Sequence, residues 1–224
     1  MRAFILPARC INQSETERIK MKKVLFALSV LVVSLNVIAQ DRLPTIAPEN
    51  YSPEQKQAAD EFMATRKRAV FGPFEPLMYS PEVMTQARSM GDYLRYHSAI
   101  GNTLSEFVIL ISAREWTQDY EWYVHAPIAL SAGIDADKIL AIKEGRRPEK
   151  MSNDEEMVYN FSIELHRNKS VSDVSFKRVE QRFGKKGVVD LTGINAYYTL
   201  LAMQMNVAQY QAPGNAPLLP KFPN

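Results

Sequence analysis

The longest unbroken greasy stretch of the chain is Val24–Leu35, twelve residues that are all apolar except Ser29 and Ser34. Lys22 and Lys23 precede it, and Val37-Ile38-Ala39 comes after it with modest side chains at the −3 and −1 positions of a cleavage site. A charged start, an apolar middle and a small-residue end form the pattern of a secretory signal. The run is shorter than the ~20 residues of a membrane-spanning helix, so an uncleaved anchor is the lesser reading. Glu15 and Glu17 do not suit a positively charged start. Residues 1–39 are therefore expected to be an upstream extension plus a signal peptide, with translation beginning at Met21 and cleavage near Ala39. Residues 40–224 are expected to be a single domain in the periplasm or outside the cell, with no stable membrane insertion after cleavage.

After residue 50 the pattern changes. Strand signals are scarce and helix starts recur. Ser52-Pro53-Glu54-Gln55 offers a capping serine, proline at the first helical position and glutamine three residues after the cap. Its helix should run to about Val70, where Phe71-Gly72-Pro73 breaks it. Ser80-Pro81-Glu82 opens a second helix towards His97. Thr103-Leu104-Ser105-Glu106 has the form of a capping box for a third, through about Trp116. A fourth runs from near Asp119 to Gly133, and Asp135 caps a short fifth closed by Gly145. Ser152-Asn153-Asp154-Glu155 opens a sixth, with Met157, Val158, Phe161 and Leu165 on one stripe. Ser172 starts a seventh that stops near Gly184, and the last, about Lys186 to Tyr210, is the most apolar. The expected fold is all-α, with about eight helices. Residues 211–224 hold four prolines and read as an extended arm, lying on the body or on a neighbouring subunit.

Composition changes the picture in two ways. The whole chain has 27 basic and 25 acidic residues, and residues 1–39 hold six of the first and two of the second. The remainder has 21 basic and 23 acidic residues, a net charge of −2, with no basic stripe for nucleic acid. The one cysteine, Cys10, precedes the signal, so a mature chain would make no disulfide, no thiolate metal site and no thiol redox cycle.

Candidate chemistry gathers in Glu106–Pro127. The third and fourth helices make a hairpin bending near Thr117, with Glu106 eleven residues before the bend and His125 eight after it. Positions nearly equidistant from the turn of an antiparallel pair lie side by side. Glu106 and His125 are thus a candidate acid–base pair, the carboxylate fixing the ring and raising its basicity. Glu121 lies four residues before His125 on the same face, and Tyr120 five before. Pro127 leaves the Tyr123 carbonyl without its helical donor, and a freed carbonyl can orient an imidazole. Each residue has a plainer reading. Glu106 can be only the third-position glutamate of its capping box, and His125 a core histidine bonded to a carbonyl. Trp116, Trp122 and Tyr123 can be packing residues. Arg114 can pair structurally with a carboxylate or grip an anionic substrate. Glu106, Glu121 and His125 also make a mixed ligand set for a catalytic metal, but no second histidine lies nearby in sequence. The reading adopted has no metal and no cofactor.

The segment Glu106–Pro127 resembles the helical hairpin of the carboxymuconolactone decarboxylase and alkylhydroperoxidase-D-like superfamily. Ala132-Gly133-Ile134, Gly145-Arg146-Arg147-Pro148, Val171-Ser172-Asp173, Gly187-Val188-Val189-Asp190-Leu191, Tyr197-Tyr198-Thr199-Leu200 and Asn206 match that superfamily's order. The likeness covers about residues 71–207. It implies a helical bundle around a central hairpin, a trimer or a multiple of it, and a small-molecule substrate. In the peroxidase branch a glutamate, a C-x-x-C pair and a histidine relay protons for thiol chemistry. Glu106 and His125 match the glutamate and the final histidine, but Gln118 and Glu121 hold the cysteine positions and Tyr120 that of an earlier histidine. Without a thiol there is no peroxidatic nucleophile. The resemblance therefore implies a cofactor-free decarboxylase or related lyase for a small carboxylated, lactone-like compound. His125 would donate the proton, Glu106 would orient it, and Tyr120, Arg114, Glu121 and Trp122 would contact substrate. A non-catalytic small-molecule binding protein with the same cavity is the alternative. The eight apolar residues Val188, Leu191, Ile194, Tyr197, Tyr198, Leu201, Met203 and Met205 spread around the last helix, and this is the sequence argument for an oligomer.

Overall fold

A computed structural model describes residues 41–221, except Asn215 and Pro217. The chain divides into two units, Met1–Ala39 and Gln40–Asn224, and every described helix belongs to the second. The expectations for the extension and the signal, and the last three residues of the expected arm, fall outside the described residues. Among those described there are eight α-helices and no strand. They are α1 (Pro53–Arg66), α2 (Phe74–Leu77), α3 (Pro81–Tyr96), α4 (Asn102–Glu115), α5 (Asp119–Ser131), α6 (Ala136–Lys143), α7 (Asn153–Asn168) and α8 (Asp173–Ala208).

Most starts obey the capping chemistry. Ser52 and Ser152 each accept from the backbone N–H three residues on, and Gln55 and Glu155 reach back to close both boxes. Asp135 and Ser172 cap α6 and α8 through Asp137 and Ser175. The expected stop at Gly184 is a break inside α8, where Gly184 has φ 68° and ψ 178°. That left-handed φ favours glycine.

Two boundaries depart from expectation. The first helix stops at Arg66, capped by a left-handed Lys67, and does not reach Val70. The Thr65 hydroxyl donates back to the Glu61 and Phe62 carbonyls and competes with the last turn. A short helix, α2, then occupies the stretch expected to be only a break. The third expected helix starts two positions early, at Asn102, with Gly101 before it at φ 81°. Thr103 is then inside the helix, its hydroxyl donating to Ala132 O, and Glu106 caps nothing.

The centre of the fold is α4. Every residue from Ser105 to Arg114 is buried, as expected of a helix apolar on nearly all sides. It packs against α5, α7 and α8, and α3 packs against α1 and α8. Because α8 is covered from several sides, Leu191, Ile194, Tyr197, Tyr198, Leu201 and Met205 are buried within the single chain. Those six do not carry the argument for an oligomer. The exposed apolar side chains of α8 are Val174, Phe176, Val189, Leu200, Met203 and Val207. The tail lies on the body. Leu219 is buried, its N–H donates to Asp119 Oδ1 (2.7 Å), and Pro220 O accepts from Arg114 (2.8 Å). Among the described residues no helix is long and apolar enough to cross a membrane.

Candidate active site

The α4–α5 hairpin turns where the spacing predicts, with Thr117 at φ 46°. Gln118 then caps α5, its side-chain oxygen accepting from the N–H groups of Tyr120 and Glu121. This fixes the first turn of α5 and the direction in which Tyr120, Glu121 and, one turn on, His125 project.

Glu106 and His125 meet across the hairpin. His125 Nδ1 lies 2.6 Å from Glu106 Oε2, and both side chains are nearly sealed from solvent. The other carboxylate oxygen accepts from Arg95 Nε at 3.0 Å. Burial alone would raise the Glu106 pKa, but the contacts with His125 and Arg95 outweigh it and hold this carboxyl below the ordinary range. An ionised Glu106 accepts from Nδ1, so Nδ1 carries a hydrogen. The freed Tyr123 carbonyl is not what orients the ring; the carboxylate does it.

On the opposite edge of the ring, His125 Nε2 lies 3.3 Å from Glu121 Oε2. Glu121 is buried, and its Oε1 has no partner among the described residues. Burial pushes its carboxyl up; His125 and Arg95 pull the other way without reversing the shift, and Glu106 adds to it. Nε2 and Glu121 thus face each other at hydrogen-bonding range, both shielded from water. The Tyr198 ring stands edge-on to the imidazole at 5.2 Å and packs the same way against Tyr197 at 5.1 Å.

A cleft of about 40 Å³ opens beside this constellation, lined by His125, Glu121, Tyr120, Arg95, Arg66 and Tyr198 among others. Phe71, Pro73, Phe74, Val124, Tyr197 and Leu201 form most of its remaining wall. Glu106 stands behind His125 and does not line it. Tyr120 is at its rim, edge-on to Tyr210 at 5.2 Å, while Tyr210 donates to Glu75 (2.7 Å). Burial raises the Tyr120 pKa, reinforced by Glu121 and Glu75.

Of the six sequence candidates, the fold brings four together: Glu106, His125, Glu121 and Tyr120. Arg114 is elsewhere, bonding to Thr117, to Lys143 O and to Pro220 O, where it anchors the tail. Trp122 is buried in the core with Phe107 and Leu110, and none of the three lines the cleft. The Trp122 misplacement has a local cause. A helix carries neighbouring residues to different faces, so Trp122 points away from the cleft because Glu121 points into it. Sequence reasoning missed Arg66 and Arg95, which come from α1 and α3. Nothing in the local pattern of either helix connects it to the hairpin. Tyr197 and Tyr198 were legible only as apolar bulk.

Glu106 and Glu121 sit on opposite nitrogens of the imidazole and so do not converge on one point. Among the described residues no group of three or more histidine, cysteine, aspartate or glutamate side chains is arranged to hold a metal ion. Comparison with protein-family models and with curated proteins finds no match for this chain.

Proposed function

We propose that the protein is a cofactor-independent acid–base catalyst, a decarboxylase or related lyase of the carboxymuconolactone decarboxylase type, acting on a small carboxylated, lactone-like molecule. The observation that carries this reading is the imidazole held between two buried carboxyl groups at the edge of a cleft. Loss of carbon dioxide breaks a carbon–carbon bond and leaves its electron pair on the substrate. The pair is delocalised into a neighbouring unsaturated or carbonyl group and then protonated at carbon. Glu106 holds Nδ1–H, so Nε2 faces the cleft and shares its proton with Glu121. Delivery of that proton from the Nε2–Glu121 pair completes the reaction, and solvent restores it. Arg95, not Arg114, is the cation within reach of an anionic substrate. The family resemblance, the arrangement around a central hairpin, and export through the N-terminal segment belong to the same proposal. Thiol peroxidase chemistry does not, since Gln118 is committed to capping α5 and Glu121 to His125.

The test is carbon dioxide release from unsaturated lactone carboxylates, run in heavy water to trace deuterium into the product carbon. Turnover that falls at least a hundredfold in His125→Ala supports the proposal. Turnover indifferent to both His125→Ala and Glu106→Gln overturns it. One observation favours a second reading, a non-catalytic binding protein: the cleft admits a group rather than a whole ring. Saturable binding that survives His125→Ala, with no wild-type turnover, would establish that reading.

A further inference from the structure

We propose that the cleft beside His125 is a receptor for a ligand's carboxylate group, formed by the terminal nitrogens of Arg95 and the Tyr198 hydroxyl, with Arg66 also on its wall. The acid–base reading enters only for the chemistry of the bound ligand; binding itself stands without it.

Apart from Glu121 and His125, the polar groups that line the cleft carry donors. Arg95 uses Nε on Glu106, and its two terminal nitrogens bond no acceptor among the described residues. Guanidinium cannot accept, so those N–H groups call for an acceptor from the ligand. Tyr197 and Tyr198 line the cleft, and neither hydroxyl bonds a protein group among the described residues. Burial holds both phenols well above their ordinary range, so both keep their hydrogen. Glu121 is 3% exposed, and its Oε2 faces His125 Nε2 at 3.3 Å, so it is the partner of the imidazole rather than one of the receptor's donors. An anionic acceptor in the cleft would satisfy several of these donors at once.

Charge points the same way. Arg66 lies 2.8 Å from Asp92, which Arg88 also approaches at 3.4 Å, and Arg95 is paired with Glu106. Three guanidiniums face two carboxylates.

Size selects among anions. A cleft of about 40 Å³ holds roughly three water molecules. A planar carboxylate has about that bulk, whereas tetrahedral phosphate is larger. The rest of the ligand would lie outward, against Phe71, Phe74 and Leu201.

The test titrates the purified protein with sodium acetate, sodium phosphate and the neutral isostere acetamide at constant ionic strength, monitoring the His125 ring resonances. Acetate should bind saturably and at least tenfold more tightly than acetamide or phosphate. Arg95→Gln should abolish acetate binding. Because that change also unpairs Glu106, Tyr198→Phe, which removes only a hydroxyl, is the second variant and should weaken acetate about fivefold. Acetate binding no tighter than acetamide, or unaltered by both Arg95→Gln and Tyr198→Phe, would overturn the receptor. Acetate binding without turnover of any lactone leaves the receptor standing and removes the catalytic reading. Turnover of lactones with no acetate competition does the reverse.

Discussion

Glu106 and Glu121 are two buried glutamates on facing helices, and their surroundings push them in opposite directions. Glu106 gains two cationic neighbours, and breaking a buried pair from one side is strongly destabilising. Glu106→Gln is expected to cost about 3 kcal/mol at neutral pH, read by denaturant unfolding. Because the Glu106 pKa is lowered on folding, its contribution is present above the unfolded carboxylate range and is lost as pH falls through the folded value. The gap between wild type and Glu106→Gln should therefore close in acid. Glu121 has the opposite sign. Its pKa is raised, so the folded state binds the extra proton, and stability falls as pH rises from the ordinary carboxylate range towards the folded value. Glu121→Gln should leave stability unchanged in acid and raise it as pH increases. A variant less stable than wild type at pH 8 would contradict this assignment.

The helices carry their instructions at their ends and their purpose on their faces. Ser152 closes a capping box at the start of α7, and Ser152→Ala should cost about 1 kcal/mol in thermal unfolding. Close approach between helices is visible at Gly91 of α3. A Cβ there would lie 2.2 Å from the Tyr197 hydroxyl and 2.5 Å from Cζ of its ring. Tyr197 is buried in the core, so the ring must swing to relieve the contact. Gly91→Ala is expected to cost about 2 kcal/mol and to alter the cleft wall. A crystal structure of the variant with Tyr197 unmoved would refute the second part.

Over the domain as one body, the tail and the exposed face of α8 matter most. The tail buries Leu219 and ties Asp119 and Arg114 to the chain end. Asp119 opens α5 two residues before Glu121, so the tail braces the helix that carries the site. Truncation after Tyr210 should lower stability by about 2 kcal/mol, measured by unfolding in urea. The trimeric expectation now rests on Val189, Leu200, Met203 and Val207, all exposed on the single chain. Leu200, Met203 and Val207 are three and four residues apart, and Val189 lies eleven before Leu200, so all four share one side of α8. Light scattering is expected to give a trimer or a multiple of it, and Met203→Glu with Val207→Glu to give single chains.

Short-range chemistry in the sequence dictates the helices, most of their starts and the meeting of Glu106 with His125. Each needs little: a serine and the N–H three residues on, or two positions counted from one bend. The same local pattern leaves Glu106 an equal candidate for a cap, because a capping box and a buried ion pair use the same residue and differ only in where the helix begins. Three features come from tertiary packing instead: Arg95 and Arg66 enter the cleft, Arg114 holds the tail, and Tyr197 and Tyr198 form a wall. These contacts join residues far apart in sequence. They depend on how α1, α3 and α8 pack around α4, and that packing is set by the shape of the entire core rather than by any local pattern.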